Sequence, residues 1–260
     1  MIGACVGDVI GSRWEGQRKH PNTRDFHLFT DKCRATDDTI LTCAVAETLM
    51  GRGDYVDTIR GHFLRHPNGG YGSSFKAWAI GYSREGYDSF GNGSAMRVSP
   101  VAFTSKSRKE CLDEAKKSAE VTHNHEEGVK GAQAIALATY IAWNGGTKDE
   151  IRKEMRAFGY ETNIVLTSEH LGFDCTCQET VPQAIYAFLY SDDFEGCVRD
   201  AIMMGGDSDT IAAMAGSIAH AYYKYIPQLI IEEALCRIPS DLTDTISEFM
   251  VKHVDGNFLK

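Results

Sequence analysis

Apolar residues recur along this chain at steps of three and four, the period of helices that bury one face. Segments 39–51, 54–65, 108–120, 125–143, 179–190, 207–224 and 241–254 carry the pattern most clearly. Within 125–143, Val129, Ala132, Ala136, Tyr140 and Trp143 form a single stripe. From Thr210 onward Ala, Gly, Met and Ile occupy nearly every side, which predicts a helix enclosed in the core. Pro182 reads as near the first turn of the 179–190 helix, where its missing N–H costs little. Pro227 and Pro239 mark further helix starts or junctions. Glycine clusters at 69–72, 91–93, 145–146 and 205–206 read as loops. Strand signals are weak, with Ile164 to Leu166 as a candidate short extended piece. No linker, low-complexity tract or long repeat interrupts the 260 residues, so one compact all-α domain over 1–260 is expected.

Composition narrows the classes. At 43% hydrophobic residues the chain can bury a sizeable core, and a formal charge of -9 argues against a nucleic-acid partner. The longest basic cluster, Lys106 to Lys109, is brief and runs into Glu110, Asp113 and Glu114. Cys5, Cys33, Cys43, Cys111, Cys175, Cys177, Cys197 and Cys236 are scattered without zinc-site spacing, and Cys175 and Cys177 are too close for a CxxC site. Scattered thiols in a long chain fit a reducing compartment. The apolar N-terminus is broken by Asp8 and lacks a basic region, and no run approaches the ~18 apolar residues of a membrane span. A soluble, cytoplasmic monomer is expected.

Candidate chemistry begins with two acidic motifs about 170 residues apart. Thr36-Asp37-Asp38-Thr39 and Gly205-Gly206-Asp207-Ser208-Asp209-Thr210 each open an apolar helical run. Either motif alone reads as an N-cap, whose oxygen satisfies orphan helix N–H groups. Together they offer four carboxylates plus the Thr36 and Thr210 hydroxyls. Four carboxylates in one place repel, and a cation relieves that repulsion. All-oxygen ligands select magnesium, calcium or manganese over zinc. A metal pair sharing a carboxylate positions and polarises a nucleophile and a substrate oxygen.

Other elements join these. Gly3, Gly7 and Gly11 recur every four residues and suit close helix packing. Glu15 follows them, either as an exposed helix-end residue or as a carboxylate at the mouth of that packed element. Gly91-Asn92-Gly93-Ser94-Ala95-Met96-Arg97 is a flexible turn before an apolar stretch, able to cradle an anion or simply to turn the chain. Gly69-Gly70-Tyr71-Gly72 is similar, with Tyr71 available to stack on a base or ribose. Thr122-His123-Asn124-His125 precedes the long helix; it lacks zinc-helix spacing, and His123 suits either a substrate contact or a cap.

In this order the elements resemble the ADP-ribosylglycohydrolase family. The resemblance runs from Gly3 to about Pro227, on Gly7-Asp8 with Glu15, Thr36-Asp37-Asp38-Thr39, Gly91-Asn92-Gly93-Ala95-Met96-Arg97, Thr122-His123, Glu179-Thr180-Val181-Pro182-Gln183-Ala184 and the 205–210 motif. It implies an orthogonal multi-helix bundle with two Mg2+ or Mn2+ ions. It places Thr36, Asp37 and Asp38 on one metal and Asp207, Asp209 and Thr210 on the other, with a shared carboxylate. Glu15 matches a mobile acidic residue near the metals. Gly91, Asn92, Gly93, Ser94 and Met96 border the pyrophosphate and distal ribose, with His123 along the cleft; Tyr71 and Gly72 of the 69–72 turn are further candidate substrate contacts from the residues themselves. Glu15, Asp37, Asp38 and Asp209 are the implied catalytic residues. The chain departs from the family where His220 and Lys224 replace more usual glycines.

The implied reaction is hydrolysis of an N- or O-glycosidic bond between ADP-ribose and an acceptor, on an ADP-ribosylated protein or a small molecule. The oxygen-rich motifs alone also permit a two-metal nucleotide phosphohydrolase. A non-catalytic ADP-ribose-binding protein is the third possibility.

Overall fold

A computed structural model describes residues 1–17, 19–163 and 173–254. Its described residues are all-α, as the periodicity predicts, apart from an isolated bridge between Gly91 and Thr176. The expected extended piece at 164–166 lies outside the described residues.

Helix α1 spans Ile2–Gly11 and α12 spans Ser208–Tyr223. All ten residues of α1 are buried, and so is every residue of α12 from Ser208 to Ala221. These two helices pack backbone to backbone. A Cβ at Gly7 would lie 2.1 Å from the Ala212 carbonyl oxygen, and one at Gly3 would lie 2.3 Å from that of Gly216. The four-residue glycine spacing thus sets the approach of the helix that carries the second acidic motif.

Helices α2 (Asp37–Leu49) and α3 (Tyr55–Arg65) follow, then the short α4 (Ser73–Ile80), α5 (Gly93–Met96) and α6 (Ser99–Thr104). Helix α7 covers Arg108–Glu120, α8 Glu126–Trp143 and α9 Lys148–Ala157. Helices α10 (Cys177–Leu189) and α11 (Phe194–Met203) precede α12, and α13 (Gln228–Leu235) and α14 (Ser240–His253) complete the order. Side-chain caps start several of them. Thr36, Asp54, Ser107, Thr147 and Asp193 each accept a backbone N–H from their helix's first turn. Helices α8, α10 and α11 pack around α12, and α2 is braced by α1, α3, α6 and α14.

Two details differ from the sequence reading. Helix α10 begins at Cys177, whose N–H donates to the Phe90 carbonyl over 3.0 Å. Pro182 is therefore inside the helix rather than near its first turn, and the ladder lacks one donor there. The 91–93 cluster is only partly loop, because Gly93 already belongs to α5. Gly205 and Gly206 have φ of 78° and 65°. Two successive left-handed residues turn the chain from α11 into α12, a conformation that glycine adopts without steric cost. Lys224 holds the left-handed C-cap of α12 at φ 53°, a position glycine usually takes, and its ammonium lies 4.6 Å over the Trp143 ring.

Candidate active site

The N-termini of α2 and α12 meet at the floor of a cavity of about 360 Å³, a size typical of small-molecule sites. The Thr210 hydroxyl donates to Asp38 Oδ2 over 3.2 Å and ties the motifs directly. Both helices present their positive ends here, which favours carboxylates in a buried place. Asp38, Asp207 and Asp209 are buried, while Asp37 and Glu15 are half-buried.

Among the described residues, two groups of three carboxylates have oxygens within 4.8 Å of one another. Asp8, Asp38 and Asp209 form one, and Glu15, Asp207 and Asp209 form the other. Asp209 is common to both. Burial, together with the charges of Asp207 and Asp38, pushes the Asp209 carboxyl well above its ordinary value. Burial and neighbouring carboxylates do the same for Asp37 and Asp38. Asp207 and Glu15 are also raised, mainly by burial. Protons or cations are therefore both welcome at this floor. Asp38 Oδ1 is buried and has no hydrogen-bond partner, although its other oxygen accepts from Thr210. A hard cation fits an orphaned carboxylate oxygen among all-oxygen donors.

Asp8 has a different task. Its Oδ1 accepts the Thr36 hydroxyl at 2.6 Å. Its Oδ2 accepts the backbone N–H groups of Thr36 at 3.0 Å and Thr39 at 3.1 Å, together with the Thr39 hydroxyl. A carboxylate so engaged clamps the start of α2 against α1. In the sequence Asp8 stands only within the Gly7-Asp8 motif. The available signal was a carboxylate amid an otherwise apolar and glycine-rich helix.

The cavity wall comes from the Asn92 turn. Asn92 Nδ2 donates to Asp207 Oδ2 over 2.7 Å, and its backbone N–H donates to the Cys175 carbonyl over 2.8 Å. The turn is thus pinned to both the acidic floor and the segment before α10.

Residues 1–253 match the ADP-ribosylglycohydrolase family. The chain belongs to that family. Membership makes it a glycohydrolase enzyme. Among its relatives, "ADP-ribosylhydrolase ARH3" of Mus musculus is 27% identical, over 86% of this chain and 82% of that protein. "ADP-ribosylarginine hydrolase Tri1" of Pseudomonas putida (strain GB-1) is also 27% identical, over 86% of this chain and 69% of that protein. A solved "ADP-ribosylglycohydrolase-related protein complex" shares the fold, with a TM-score of 0.71 at 24% identity over 97% of this chain and 96% of that one.

Of the candidate catalytic, substrate-binding and metal-binding residues, most line one cavity. Glu15, Asp37, Asp38, Gly72, Gly91, Asn92, Gly93, Met96, His123, Asp207, Asp209 and Thr210 do so. Three do not. Tyr71 is only 2% exposed and stacks on Phe75 at 5.1 Å, so its ring is committed to the core and not free to meet a base or ribose. The buried Ser94 hydroxyl donates to the Gly128 carbonyl over 2.7 Å. Thr36 lies beneath the floor, where its hydroxyl donates to Asp8 and accepts the Asp38 N–H at 3.3 Å. Asp37 lines the cavity but belongs to neither three-carboxylate group. Tyr87, Phe173, Cys175 and Arg97 also line the cavity, without being among the candidates that the sequence offers. Arg97 alone stood within a quoted motif.

Proposed function

We propose that this enzyme hydrolyses the glycosidic bond between ADP-ribose and an acceptor, releasing ADP-ribose, with two magnesium or manganese ions at the meeting of α2 and α12. The observation that carries the metal reading is the orphaned Asp38 Oδ1 beside the shared Asp209, among donors that are all oxygen. Thr36, Asp37 and Asp38 would hold one ion, Thr36 through an oxygen lone pair because its proton goes to Asp8, and Asp207, Asp209 and Thr210 would hold the other. Such ions supply charge neutralisation and Lewis-acid polarisation of the oxygens they meet.

The residues of the chain do the rest. The carboxylates of Asp37, Asp38 and Asp209 stabilise positive charge that develops on the ribose as the bond at C1″ breaks. Asn92 orients Asp207 through its amide. Burial raises the Glu15 carboxyl, which favours the protonated form; that proton goes to the acceptor nitrogen or oxygen as its bond to C1″ breaks, and a water gives its hydroxyl to C1″ and its remaining proton back to Glu15. The Gly91 to Met96 segment borders the pyrophosphate and distal ribose. Tyr87 and Phe173 add aromatic surface to the cavity lining. The enzyme is cytoplasmic in this reading, supported by eight free cysteines. No helix among the described residues is long and apolar enough to cross a membrane.

A release assay with magnesium and with manganese tests the proposal, over arginine-linked, serine-linked and free ADP-ribosyl substrates. Free ADP-ribose as product is expected. AMP or inorganic phosphate would instead identify a phosphohydrolase. Tight ADP-ribose binding without turnover on any substrate would identify a binding protein.

A further inference from the structure

Among the described residues Arg97 is the largest fully buried side chain, and there it pairs with a carbonyl and a hydroxyl rather than with a carboxylate. Its Nη2 donates to the Ser118 carbonyl over 2.7 Å and to Thr122 Oγ1 over 2.8 Å, which uses both protons of that nitrogen. Thr122 Oγ1 also meets His123 Nδ1 at 2.7 Å. These contacts decide a proton position. A guanidinium cannot accept, so the single Thr122 proton has His123 Nδ1 as its acceptor. The opposite tautomer would leave that buried hydroxyl proton unpaired, a penalty on the order of 10-fold in population. Nδ1 is then bare, and the ring proton of the neutral imidazole sits on Nε2. Burial and the nearby Arg97 charge both disfavour a second proton on the ring. Nε2 faces Gly91 and Gly93: a Cβ built at Gly93 would lie 3.1 Å from it, and one at Gly91 would lie 3.6 Å away. His123, Gly91, Gly93 and Arg97 all line the cavity.

We propose that Arg97 and Thr122 are positioning residues that fix His123 as a neutral Nε2–H donor, aimed at a ligand oxygen beside the Gly91 to Gly93 turn. The oxygen belongs to a phosphate or sugar hydroxyl, and that part rests on the proposed function. The proton position does not rest on it. Arg97 acts at a distance through Thr122, so the ring donates in the same direction whether or not ligand is bound.

The test is nitrogen-detected NMR of the imidazole groups in the ligand-free protein, with His123→Ala assigning the signal. A bare, hydrogen-bonded Nδ1 and a protonated Nε2 are expected. A protonated Nδ1, or a doubly protonated ring at neutral pH, would overturn the proposal. Thr122→Val should move the Nδ1 signal to that of a nitrogen without a donor, and Thr122→Ser should restore it. An unmoved signal in Thr122→Val would also overturn it. ADP-ribose titration then reads the consequence: about 2- to 12-fold weaker binding in Thr122→Val, the range of one neutral hydrogen bond, with recovery in Thr122→Ser. Unchanged affinity in Thr122→Val would show that the ring does not serve the ligand. If the wild-type protein failed to bind ADP-ribose, the proposed function would fall while the NMR result still decided the proton position.

Discussion

Thr210 Oγ1 donates to Asp38 Oδ2 over 3.2 Å, across 172 residues of sequence. Through this bond the first turn of α12 orients a carboxylate in the first turn of α2. The Thr210 hydroxyl has one proton, and another acceptor, the Met96 sulfur, is farther away at 3.9 Å. With Thr210 satisfying Oδ2, the buried Oδ1 of Asp38 is left as the open ligand position.

Thr210→Val should therefore loosen the site without unfolding it. Metal affinity and activity are expected to fall at least about 10- to 100-fold, the usual cost of losing a group that orients a ligand, since Thr210 both orients Asp38 and is itself a proposed ligand. Thr210→Ser should recover most of both. Isothermal calorimetry with magnesium provides the measurement, and unchanged affinity in the valine variant would remove Thr210 from the site.

Asp209→Asn separates stability from function. Asp209 is 3% exposed and faces Asp207, Asp38 and Glu15, whose charges oppose its own. Removing one charge from this set should stabilise the chelated protein by about 1–3 kcal/mol, the scale of like charges a few ångströms apart in a partly screened interior. The same change should abolish the rise in Tm that magnesium produces, together with activity. A metal-induced rise that survives the substitution would refute the ligand assignment.

The magnesium-induced rise in Tm should itself grow with pH. Asp37, Asp38 and Asp209 have folded-state values well above their ordinary ones, so the folded chain binds more protons than the unfolded chain. The stability they contribute is full below the unfolded value of about 3.9 and is lost as pH rises through the raised folded values. His123 and His220, both lowered by burial, act with the opposite sign up to about pH 6.5. They do so with and without metal, so the difference between magnesium and chelator cancels them. Cations take the deprotonated carboxylates and remove their repulsion. A calorimetric series from about pH 5 to pH 8 at fixed magnesium should show a widening gap, and a constant gap would mean that these carboxylates do not meet the ion.

The sequence showed the helices whose apolar stripe is long. Helices α7 and α8 lie within a residue of their expected ends because cap and stripe coincide there. Helix α9 was invisible, since only Ile151 and Met155 of its ten residues are buried and its capped start carries no apolar run. The acidic motifs were legible because each begins a helix, and a helix start fixes where its first-turn side chains point. The glycine turns were not. A flexible backbone does not say which neighbour turns inward, and so Tyr71 and Ser94 entered the core while Tyr87 and Arg97 reached the cavity. The clamp made by Asp8 was hidden for a related reason. Its partners Thr36 and Thr39 lie 28 and 31 residues on, beyond any helical spacing.

The packing of α1 on α12 sets where Asp8 and Asp209 stand, and Gly7 is its tightest point. A Cβ there would lie 2.1 Å from the Ala212 carbonyl oxygen and 2.5 Å from the Ala212 carbonyl carbon. Both atoms are helix backbone inside a helix buried over its length to Ala221, so neither can turn aside. The two helices must separate to admit one methyl group, and the small side chains around them leave nothing to fill the gap. Gly7→Ala is expected to cost at least about 3 kcal/mol, above the ordinary range for overpacking. Helix propensity alone would favour the alanine by about 1 kcal/mol, so a net loss measures the clash against an opposing gain. Gly16, with φ 63° and no atom within 4 Å of where a Cβ would stand, supplies the contrast: there alanine meets backbone strain but no neighbour. Denaturant unfolding of both variants in chelator should give a much larger loss at Gly7. A small loss at Gly7, with magnesium affinity intact, would mean that α1 can shift on α12 without disturbing the carboxylates, and that the close approach is not what holds the site together.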